Sequence, residues 1–510
     1  MGVHKMKKAT MKVSALAVMM ALCGQAMAED ANTWYQDGQE ALAAAKKLYP
    51  NNRKAKNVIL FVGDGMGVST VTAARILEGQ LQGRDGERNK LAFEKLPYLA
   101  LSKTYSANQQ TSDSAPTMTA MVTGVKTNDG VISVDQRVLN GDKDNSKVQA
   151  AKLATILELA EQNGRATGVV STARITHATP AATYAHTSAR DWESDNNVPA
   201  DADVKDIASQ LIDNFGAGAI GDGIEVVLGG GRSRFLPNTV DDPENAGRKG
   251  DRRDGRNLAQ EYVNKFGGKF VWNQAQFDAI NPANTNRLLG LFERSHMQYE
   301  HDRPNDTGKE PSLADMTGKA IDILQKNPKG FFLMVEAGRI DHGHHANNAY
   351  RALTDTIALS DAVKKALEKV DLNDTLVIVT ADHSHTMTIG GYPERGNPIL
   401  GKVTVDGQLT KATDGNPYTT ISYANGKGYY PNVPGEDVYG FPARSGRIED
   451  MTNVDTSDPD FHQEVTVPLD SETHAAEEVE IFAGGPKAHL FQGVQEQHYI
   501  FHVMKDAFGF

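Results

Sequence analysis

The sequence has 510 residues, of which 39% are hydrophobic, 23% are charged and 7% are aromatic, and its formal net charge is −12. This composition supports a large hydrophobic core and excludes a disordered, collagen-like or coiled-coil chain. So acidic a chain is not expected to coat nucleic acid or to bind an anionic membrane, and an anionic substrate would need local cations to attract it.

The first 28 residues have the layout of a secretory signal peptide. Lysines come first, the apolar run 13–22 follows, and Ala26-Met27-Ala28 precedes Glu29. The apolar run is far shorter than the ~20 residues that a membrane-spanning helix needs. We therefore expect export to the periplasm or the medium, with cleavage after Ala28. The only cysteine, Cys23, lies in this segment, so the mature chain has no thiolate for a disulfide or a metal site.

Short apolar runs alternate with helical patterns along the rest of the chain. Five runs are typical of buried strands in a parallel sheet, and they lie at 58–62, 167–170, 225–228, 331–335 and 375–380. Apolar residues recur at helical spacing in 153–160, 316–324 and 352–370. This alternation predicts a three-layer α/β sandwich with a central, mostly parallel sheet. Catalytic residues of such folds gather beyond the carboxyl ends of the strands.

Residues 396–464 differ from this alternation. Asp406-Gly407 and Asn425-Gly426 are hairpin-turn signals, tyrosines cluster in the segment, and it shows no helical period. We interpret the segment as a β-rich insertion in an α/β core that comprises residues 29–395 and 465–510.

Three of the predicted strands lead directly into potential metal ligands. These are Asp64 after the first strand, Glu336, Asp341, His342, His344 and His345 after the fourth, and Asp382 and His383 after the fifth. Asp341 and His345 are four residues apart, so one helical turn places both on the same face. Nitrogen and oxygen ligands of this kind suit zinc, and His474 gains significance because the set needs further ligands. Each motif taken alone is also compatible with a tight turn or a polar loop.

Ser114 is the candidate nucleophile. It precedes a predicted helix that ends near Gly124, and it is a good N-cap with Pro116 in the first turn. A serine at a helix N-terminus also faces free backbone N–H groups, which bind anions, and a nearby metal ion could hold it as an alkoxide. Arg190 could grip two phosphate oxygens at once, although an arginine here is also compatible with a surface position.

Together these motifs resemble the alkaline phosphatase family from about residue 54 to the end of the chain. The most specific stretches are 62–67, Asp113-Ser114-Ala115, His177-Ala178-Thr179-Pro180, 336–345, 380–383 and Glu472-Thr473-His474. The resemblance implies a homodimeric enzyme that hydrolyses small phosphate monoesters of broad structure to an alcohol and inorganic phosphate, through a phosphoserine intermediate.

The resemblance also assigns roles to the matching residues. Ser114 would be the nucleophile, and Asp113 and Arg190 would bind the phosphate. One zinc ion would be held by Asp341, His345 and His474, and a second by Asp64, Asp382, His383 and the Ser114 oxygen. A third metal, normally magnesium, would be held by Asp64, Thr179 and Glu336. The two zinc ions would form an in-line clamp on the phosphoryl group.

Two positions place the sequence within the family. His177 and His342 stand where the best-known bacterial type has aspartate and lysine, and histidine at both resembles the animal-type and some marine-bacterial enzymes. This leaves the identity of the third metal open. Segment 396–464 resembles the crown insertion of the animal enzymes. Those enzymes also carry a fourth, calcium-like site, which aligns here with Glu244, the Phe292 carbonyl, Glu293 and Glu310.

Three other functions remain open from the residues. A sulfatase shares the metal-bearing α/β core, but its motif Cys/Ser-x-Pro-x-Arg has Met118 here in place of the arginine. A phosphodiesterase or mutase of the same superfamily is the next enzyme alternative. A periplasmic phosphate- or zinc-binding protein is the alternative without turnover. Assays of a monoester, a diester and a sulfate ester discriminate among them.

Overall fold

A ten-stranded sheet runs through the part of the chain that the computed structural model describes, residues 30–428 and 450–510. All strands, in chain order, are β1 (Asn57–Gly63), β2 (Tyr98–Lys103), β3 (Ala166–Arg174), β4 (Val226–Gly230), β5 (Lys269–Val271), β6 (Leu288–Leu291), β7 (Phe331–Ala337), β8 (Thr375–Ala381), β9 (Ser384–His385), β10 (Met387–Ile389), β11 (Thr404–Val405), β12 (Gln408–Leu409), β13 (Ile421–Gly426), β14 (Val465–Pro468), β15 (His474–Ala475), β16 (Val479–Gly484) and β17 (Val494–Glu496).

The strands of the large sheet lie in the order β17-β2-β16-β8-β1-β7-β3-β4-β6-β5. The seven neighbours from β8 to β5 pair in parallel. Strand β16 lies antiparallel between β8 and β2, and β17 is parallel to β2. The sheet is therefore mostly parallel, which confirms the predicted fold class.

Helices follow most of the strands. They are α1 (Ala31–Ala45), α2 (Val68–Leu81), α3 (Ser114–Thr123), α4 (Asn145–Ala150), α5 (Ile156–Gln162), α6 (Ala178–Ala181), α7 (Ile207–Asp213), α8 (Arg232–Phe235), α9 (Leu258–Phe266), α10 (Gln274–Asp278), α11 (Leu313–Leu324), α12 (Arg339–His345), α13 (Ala349–Lys369) and α14 (Tyr499–Phe508). Short 3-10 turns lie at Phe93–Lys95, Pro282–Asn284, Arg303–Asn305 and Ala488–Leu490.

The two faces of the sheet are buried by different helices. In β1, Val58, Leu60 and Val62 pack in one hydrophobic cluster with residues of α3, α5 and α14. Ile59 and Phe61 point the other way and pack in a second cluster with residues of α2, α11 and α13. Because side chains alternate along a strand, this division produces the predicted three layers, helix on sheet on helix.

The predicted core elements are confirmed. The five predicted strands are β1, β3, β4, β7 and β8, and the three predicted helices are α5, α11 and α13. Helix α5 begins at a capping box formed by Thr155 and Glu158. Gly124 ends α3 in the left-handed conformation, with φ of 79°, as a glycine allows.

The described parts of the insertion, 396–428 and 450–464, contain strands and no helix. Asp406-Gly407 forms the predicted turn between the antiparallel strands β11 and β12. The hairpin predicted at Asn425-Gly426 is wrong, because both residues belong to β13, which pairs in parallel with β14. Gly426 has φ of 126°, and a Cβ there would meet Asn347 Oδ1 at 2.0 Å, so close packing against Asn347 accounts for this glycine.

Two predictions fall partly or wholly outside the described residues. The predicted signal peptide, residues 1–28, is not among them, nor is the insertion segment 429–449. Within 30–428 and 450–510, we find no helix with the length and apolar character needed to cross a membrane.

Candidate active site

The carboxyl ends of three neighbouring strands meet at one edge of the sheet. Gly63 of β1 lies opposite Ala337 of β7 and Ala381 of β8. This register brings Asp64, Glu336 and Asp382 together, and all three side chains are fully buried. The three residues predicted to share one site therefore lie side by side.

Asp64, Asp382 and His383 form what we call the Asp382 cluster. His383 Nε2 lies 3.4 Å from Asp64 Oδ1 and 3.3 Å from Asp382 Oδ2. The hydroxyl of Ser114 is 3.1 Å from His383 Nε2 and 3.4 Å from Asp64 Oδ1. The candidate nucleophile thus lies in contact with a nitrogen and an oxygen of the kind that bind zinc.

Ser114 is the first residue of α3, and the residue before it makes the cap. The N-cap predicted for Ser114 is wrong, because Asp113 has the extended cap conformation and its Oδ1 accepts from the Ala115 N–H at 2.5 Å. A carboxylate directly ahead of the helix satisfies the free N–H group, so the Ser114 hydroxyl is left for the cluster. The helix still directs its positive N-terminal end toward this region.

Asp341, His345, His385 and His474 form the Asp341 cluster. Asp341 and His345 lie on the same face of α12, as predicted, and His345 Nε2 is 3.2 Å from Asp341 Oδ1. His474 lies on β15, and its Nε2 is 3.3 Å from the same Oδ1 and 3.1 Å from His345 Nε2.

Backbone carbonyls fix the tautomers of two of these rings. His345 Nδ1 donates to the Glu472 carbonyl at 2.5 Å, and His474 Nδ1 donates to the Ser112 carbonyl at 2.8 Å. Because a neutral imidazole has one N–H, the Nε2 atoms of both rings carry lone pairs. Two lone pairs and a carboxylate oxygen therefore face one another at about 3 Å, an arrangement that a cation between them would stabilise.

His385 is a member of this cluster that the sequence reasoning did not assign. Its Nε2 lies 2.9 Å from Asp341 Oδ1, and its Nδ1 lies 2.5 Å from Glu472 Oε2. Burial opposes a charge here, yet the Glu472 and Asp341 carboxylates raise the pKa of His385 to about 10. With a proton on both nitrogens, His385 donates to Asp341 and to Glu472 and so helps to hold the Asp341 carboxylate in place. The sequence signal for His385 is its spacing. It follows His383 by two residues, and in an extended segment this spacing places both rings on one side.

A third group, the Glu336 cluster, consists of Asp64, His177 and Glu336. Thr179, on the short helix α6, is fully buried. It lies two residues after His177 in the sequence. Several buried oxygens have no hydrogen-bond partner, namely Asp64 Oδ2, Thr179 Oγ1 and Glu336 Oε1. Buried acceptors without a donor are costly, so this site fits a bound cation.

The charges of the site explain why it favours cations. Burial, followed by the carboxylates of Asp382, Asp341 and Glu336, raises the pKa of Asp64 well above its ordinary value. Burial also raises the pKa of Asp382, and burial and Asp382 raise that of Glu336 to about 7. The three carboxylates would be ionised together at neutral pH only if positive charge were supplied close to them.

Arg190 lies beside the nucleophile, with its side chain 21% exposed. Its Nη1 donates to Asp113 Oδ1 at 3.3 Å, and its Nη2 donates to His177 Nε2 at 3.1 Å. Asp113 Oδ2 in turn accepts from the Gly130 N–H at 2.8 Å. The predicted phosphate-binding pair therefore lies at the site rather than on the open surface.

His177, His296 and His342 form the His296 cluster. His177 and His342 were predicted near the third metal, whereas His296 was missed, because it stands alone in the sequence after β6. Burial, followed by Arg190 and Arg174, lowers the pKa of His177 to about 3. Burial and nearby cationic side chains also lower the pKa values of His296 and His342.

The residues proposed for a fourth metal are only partly brought together. Glu244 and Glu293 lie close to each other with Asp306, and we call these three the Glu293 cluster. Glu310 is not part of this group, and its Oε1 accepts from the Gln298 N–H at 2.7 Å. The Phe292 carbonyl accepts from Arg232 Nη1 at 3.0 Å. Asp306 therefore lies in this cluster and Glu310 does not, although Glu310 is near it, since burial and then the Glu293 carboxylate raise the pKa of Glu310.

Comparisons with known proteins identify one family. The family model for alkaline phosphatase matches residues 55–510. The tissue-nonspecific alkaline phosphatase of Gallus gallus is 45% identical over 509 residues, which cover 97% of this chain and 93% of that protein. The Homo sapiens tissue-nonspecific isozyme is 43% identical over 487 residues, which cover 93% of this chain and 88% of that protein.

Solved structures share the fold. The alkaline phosphatase of Thermus thermophilus superposes with a TM-score of 0.64 at 24% identity and covers 91% of this chain and 94% of its own. The alkaline phosphatase of the Antarctic bacterium TAB5 gives a TM-score of 0.59 at 22% identity, over 90% of this chain and 99% of its own. With the identities of 43–45% to the vertebrate enzymes, these matches lead to one assignment. The chain belongs to the alkaline phosphatase family and is a phosphoric monoester hydrolase.

Proposed function

We propose that this protein hydrolyses small phosphate monoesters to an alcohol and inorganic phosphate through a phosphoserine on Ser114. Two zinc ions would be bound by the Asp341 and Asp382 clusters, and a third, magnesium-type ion by Asp64, Thr179 and Glu336. The observation that carries the proposal is the position of the Ser114 hydroxyl, 3.1 Å from His383 and 3.4 Å from Asp64, at the edge of buried carboxylates.

The donor sets fit the proposed metals. In the Asp341 cluster, the lone pairs of His345 and His474 face Asp341 Oδ1, and nitrogen with oxygen is a zinc-type set. In the Asp382 cluster, burial lowers the pKa of His383, so its ring is neutral and able to act as a ligand. The partnerless oxygens of Asp64, Thr179 and Glu336 are an all-oxygen set, as magnesium prefers.

Zinc ions held there would act as Lewis acids that stabilise negative charge on the serine oxygen and on the leaving oxygen. The remaining work falls to the protein. Ser114 Oγ forms a bond to phosphorus as its proton passes to solvent, and the bond from phosphorus to the alcohol oxygen breaks. The alcohol takes up a proton from solvent. Water then attacks the phosphoserine, which restores the Ser114 hydroxyl and releases phosphate.

Arg190 and the N-terminal end of α3 would hold the phosphoryl oxygens during both steps. The guanidinium fork matches two oxygens of a phosphate, and Asp113 holds it in place from Nη1. Phosphoryl transfer needs little covalent help, so orientation and charge neutralisation by these groups dominate the rate. Since no described feature requires a particular alcohol, we propose broad monoester specificity.

The proposal extends to the fourth site, the compartment and the assembly. The three carboxylates of the Glu293 cluster are an oxygen set that suits calcium. The layout of residues 1–28 supports export with cleavage after Ala28, and the family supports a homodimer. N-terminal sequencing of exported protein should begin at or near Glu29, and sequencing that begins at Met1 would contradict export.

The direct test of function compares three esters of one alcohol. We expect purified protein to hydrolyse p-nitrophenyl phosphate and to leave bis(p-nitrophenyl) phosphate and p-nitrophenyl sulfate nearly unchanged. Exhaustive chelation should abolish the activity, and Zn²⁺ with Mg²⁺ should restore it. Preference for the sulfate ester, or stoichiometric retention of phosphate without turnover, would overturn the proposal.

A further inference from the structure

His296 reaches the catalytic edge from the segment that follows β6. Its ring centroid lies 4.2 Å from that of His342 and 5.1 Å from that of His177, and both contacts are edge-on. The centroids of His177 and His342 are 5.7 Å apart. His296 therefore packs against both of the histidines that border the Glu336 cluster.

Each ring of the His296 cluster faces a different arginine. Arg190 Nη2 donates to His177 Nε2 at 3.1 Å, Arg174 Nη1 to His296 Nε2 at 2.6 Å, and Arg339 Nη1 to His342 Nδ1 at 2.8 Å. A guanidinium has donors only, so each of these ring nitrogens must present its lone pair. The backbone N–H of Arg174 also lies 3.3 Å from His296 Nδ1, and we assign the lone pair to Nε2 because the guanidinium contact is shorter and charged.

The arginine beside His296 is itself held firmly. Glu193 binds Arg174 through two parallel bonds, Nε to Oε2 at 2.8 Å and Nη2 to Oε1 at 2.7 Å. The Thr176 hydroxyl donates to Glu193 Oε2 at 2.5 Å. Burial opposes the charge, but Arg174 lowers the pKa of Glu193 to about 2, so the carboxylate stays ionised. A charged, bidentate pair thus fixes Arg174 on Glu193, and Arg174 Nη1 makes the single bond to His296.

Three histidines this close would commonly suggest a metal site of their own. Here each ring has one nitrogen committed to a guanidinium, and the three positive charges oppose a divalent cation at the centre of the cluster. The cluster is therefore better suited to hold rings in place than to bind an ion. His177 connects it to the Glu336 cluster, because a ring nitrogen of His177 lies within 4.8 Å of ligand oxygens of Asp64 and Glu336.

We propose that His296 is a positioning residue of the third metal site, and that it fixes the rings of His177 and His342 in the orientations set by their arginines. The inference rests on the third site of the proposed function. With Nε2 accepting from Arg190, the hydrogen of the neutral His177 ring lies on Nδ1, a buried atom with no hydrogen-bond partner. Loss of the His296 ring would leave a gap between the two neighbours and leave Arg174 Nη1 without its ring acceptor, so both rings could turn away from the third site.

The test measures third-site occupancy by Mn²⁺, an oxygen-seeking ion whose free form is counted by electron paramagnetic resonance. The protein is first loaded with two equivalents of Zn²⁺, and Ca²⁺ is added to occupy the Glu293 cluster. We expect His296→Ala to weaken Mn²⁺ binding about tenfold, in the range found for groups that support metal ligands. His296→Gln keeps an acceptor for Arg174 and should restore most of the affinity. Glu193→Gln removes the charge that holds Arg174 and should weaken binding several-fold.

The matched control is His301→Ala, which removes a histidine from the same segment whose ring packs on Tyr350 at 4.9 Å. It should leave Mn²⁺ affinity unchanged. Unchanged Mn²⁺ affinity in His296→Ala would overturn the proposal. Equal losses of Mn²⁺ affinity in His296→Ala and His301→Ala would overturn it too. So would a loss of bound zinc from His296→Ala together with the loss of manganese. If His296→Ala fails to fold, wild-type affinity in Glu193→Gln overturns it instead. If the wild-type protein binds no Mn²⁺, the proposed third site itself is absent. That outcome counts against the proposed function and is distinct from a failure of the role of His296.

Discussion

Two groups of histidines border the same edge of the sheet, and the charged groups behind them are opposite in sign. In the Asp341 cluster, His385 contacts the carboxylates of Asp341 and Glu472. In the His296 cluster, the rings of His177, His296 and His342 each accept from an arginine. The first arrangement stabilises a cation and the second opposes one. The comparison suggests a rule for the proposed metal sites: the ionised partners of the rings, rather than the number of histidines, distinguish them.

The pKa values express the same contrast. Carboxylates raise the pKa of His385 to about 10 against the opposing effect of burial, whereas burial together with Arg190 and Arg174 lowers that of His177 to about 3. These shifts favour a protonated His385 and a neutral His177 at neutral pH. Four experiments test whether the chemistry follows this division.

The largest effect is expected from Ser114→Ala, because Ser114 is the proposed nucleophile and its hydroxyl contacts His383 and Asp64 of the Asp382 cluster. Removal of the nucleophile should lower kcat by several orders of magnitude and abolish the covalent phosphoenzyme, measured by acid quench with labelled substrate. The fold should be preserved, since Asp113 makes the helix cap. The control is Ser112→Ala, a buried serine two residues away whose hydroxyl donates to the Asp113 carbonyl. Full activity in Ser114→Ala would place the reaction elsewhere.

Arg190 connects the residue before the nucleophile with the His296 cluster, since its guanidinium contacts both Asp113 and His177. Loss of one charge-assisted bond costs ~1.5–3 kcal/mol, so Arg190→Ala should lower kcat/KM roughly 10- to 100-fold and weaken inhibition by inorganic phosphate in parallel. Arg190→Lys keeps the charge but loses the fork and should recover only part of the rate. Arg137→Ala, at an exposed arginine paired with Asp135, is the control that should change nothing. Unaltered phosphate inhibition in Arg190→Ala would exclude the clamp.

Glu472→Gln tests the carboxylate behind the metal site directly. Glu472 Oε2 contacts His385 Nδ1, while its Oε1 accepts from the Thr386 N–H and hydroxyl. Loss of its charge should reduce zinc affinity at the Asp341 cluster about tenfold, as measured by competition with a chelator. His296→Gln, on the arginine side, should leave both zinc affinities unchanged. Equal zinc loss in the two variants would break the comparison.

The smallest effect is a pair of opposite pH slopes in the stability of metal-free protein. The pKa of His385 is raised on folding, so its contribution is full below the unfolded value of 6.5 and is lost as pH rises toward about 10. The pKa of His342 is lowered by burial and then Arg339, so its contribution is full above 6.5 and is lost as pH falls below that value. Each slope is at most ~1.4 kcal/mol per pH unit.

Urea unfolding between pH 5 and 9 measures both slopes. His385→Gln should reduce the loss of stability on the alkaline side, and His342→Gln should reduce the loss on the acidic side, since other buried groups with shifted pKa values remain in each variant. If both substitutions change the pH slope in the same direction, the surroundings of His385 and His342 do not differ in charge as described.

The sequence was sufficient for the core and for one layer of the site. The apolar runs of β1, β7 and β8 predict buried parallel strands, and their common carboxyl edge predicts that Asp64, Glu336 and Asp382 meet. The residues behind these ligands were not predictable in the same way. Glu193 and His296 are isolated in the sequence, and only the fold brings them to Arg174.

The errors have local physical causes. The sequence favours Ser114 as the cap because serine is a good cap, but the carboxylate of Asp113 accepts from the Ala115 N–H, so the helix already begins at Ser114. Asn425-Gly426 has turn residues, yet Gly426 is required by the approach of Asn347 rather than by a turn. Propensity describes what a residue tolerates, and tertiary contacts decide which use is made of it.

The place of β16 in the sheet has a consequence for how the chain folds. This strand, Val479–Gly484, lies between β8 and β2, so β2 can join the sheet only after nearly 400 further residues have been synthesised and docked. Until then, the edge of β8 next to the proposed metal-binding carboxylates is an open template for pairing with another chain. Folding of this edge is therefore expected to be slow and to depend on late segments. A chain that stops short of Val479 should accumulate as an aggregation-prone intermediate rather than as a less active enzyme.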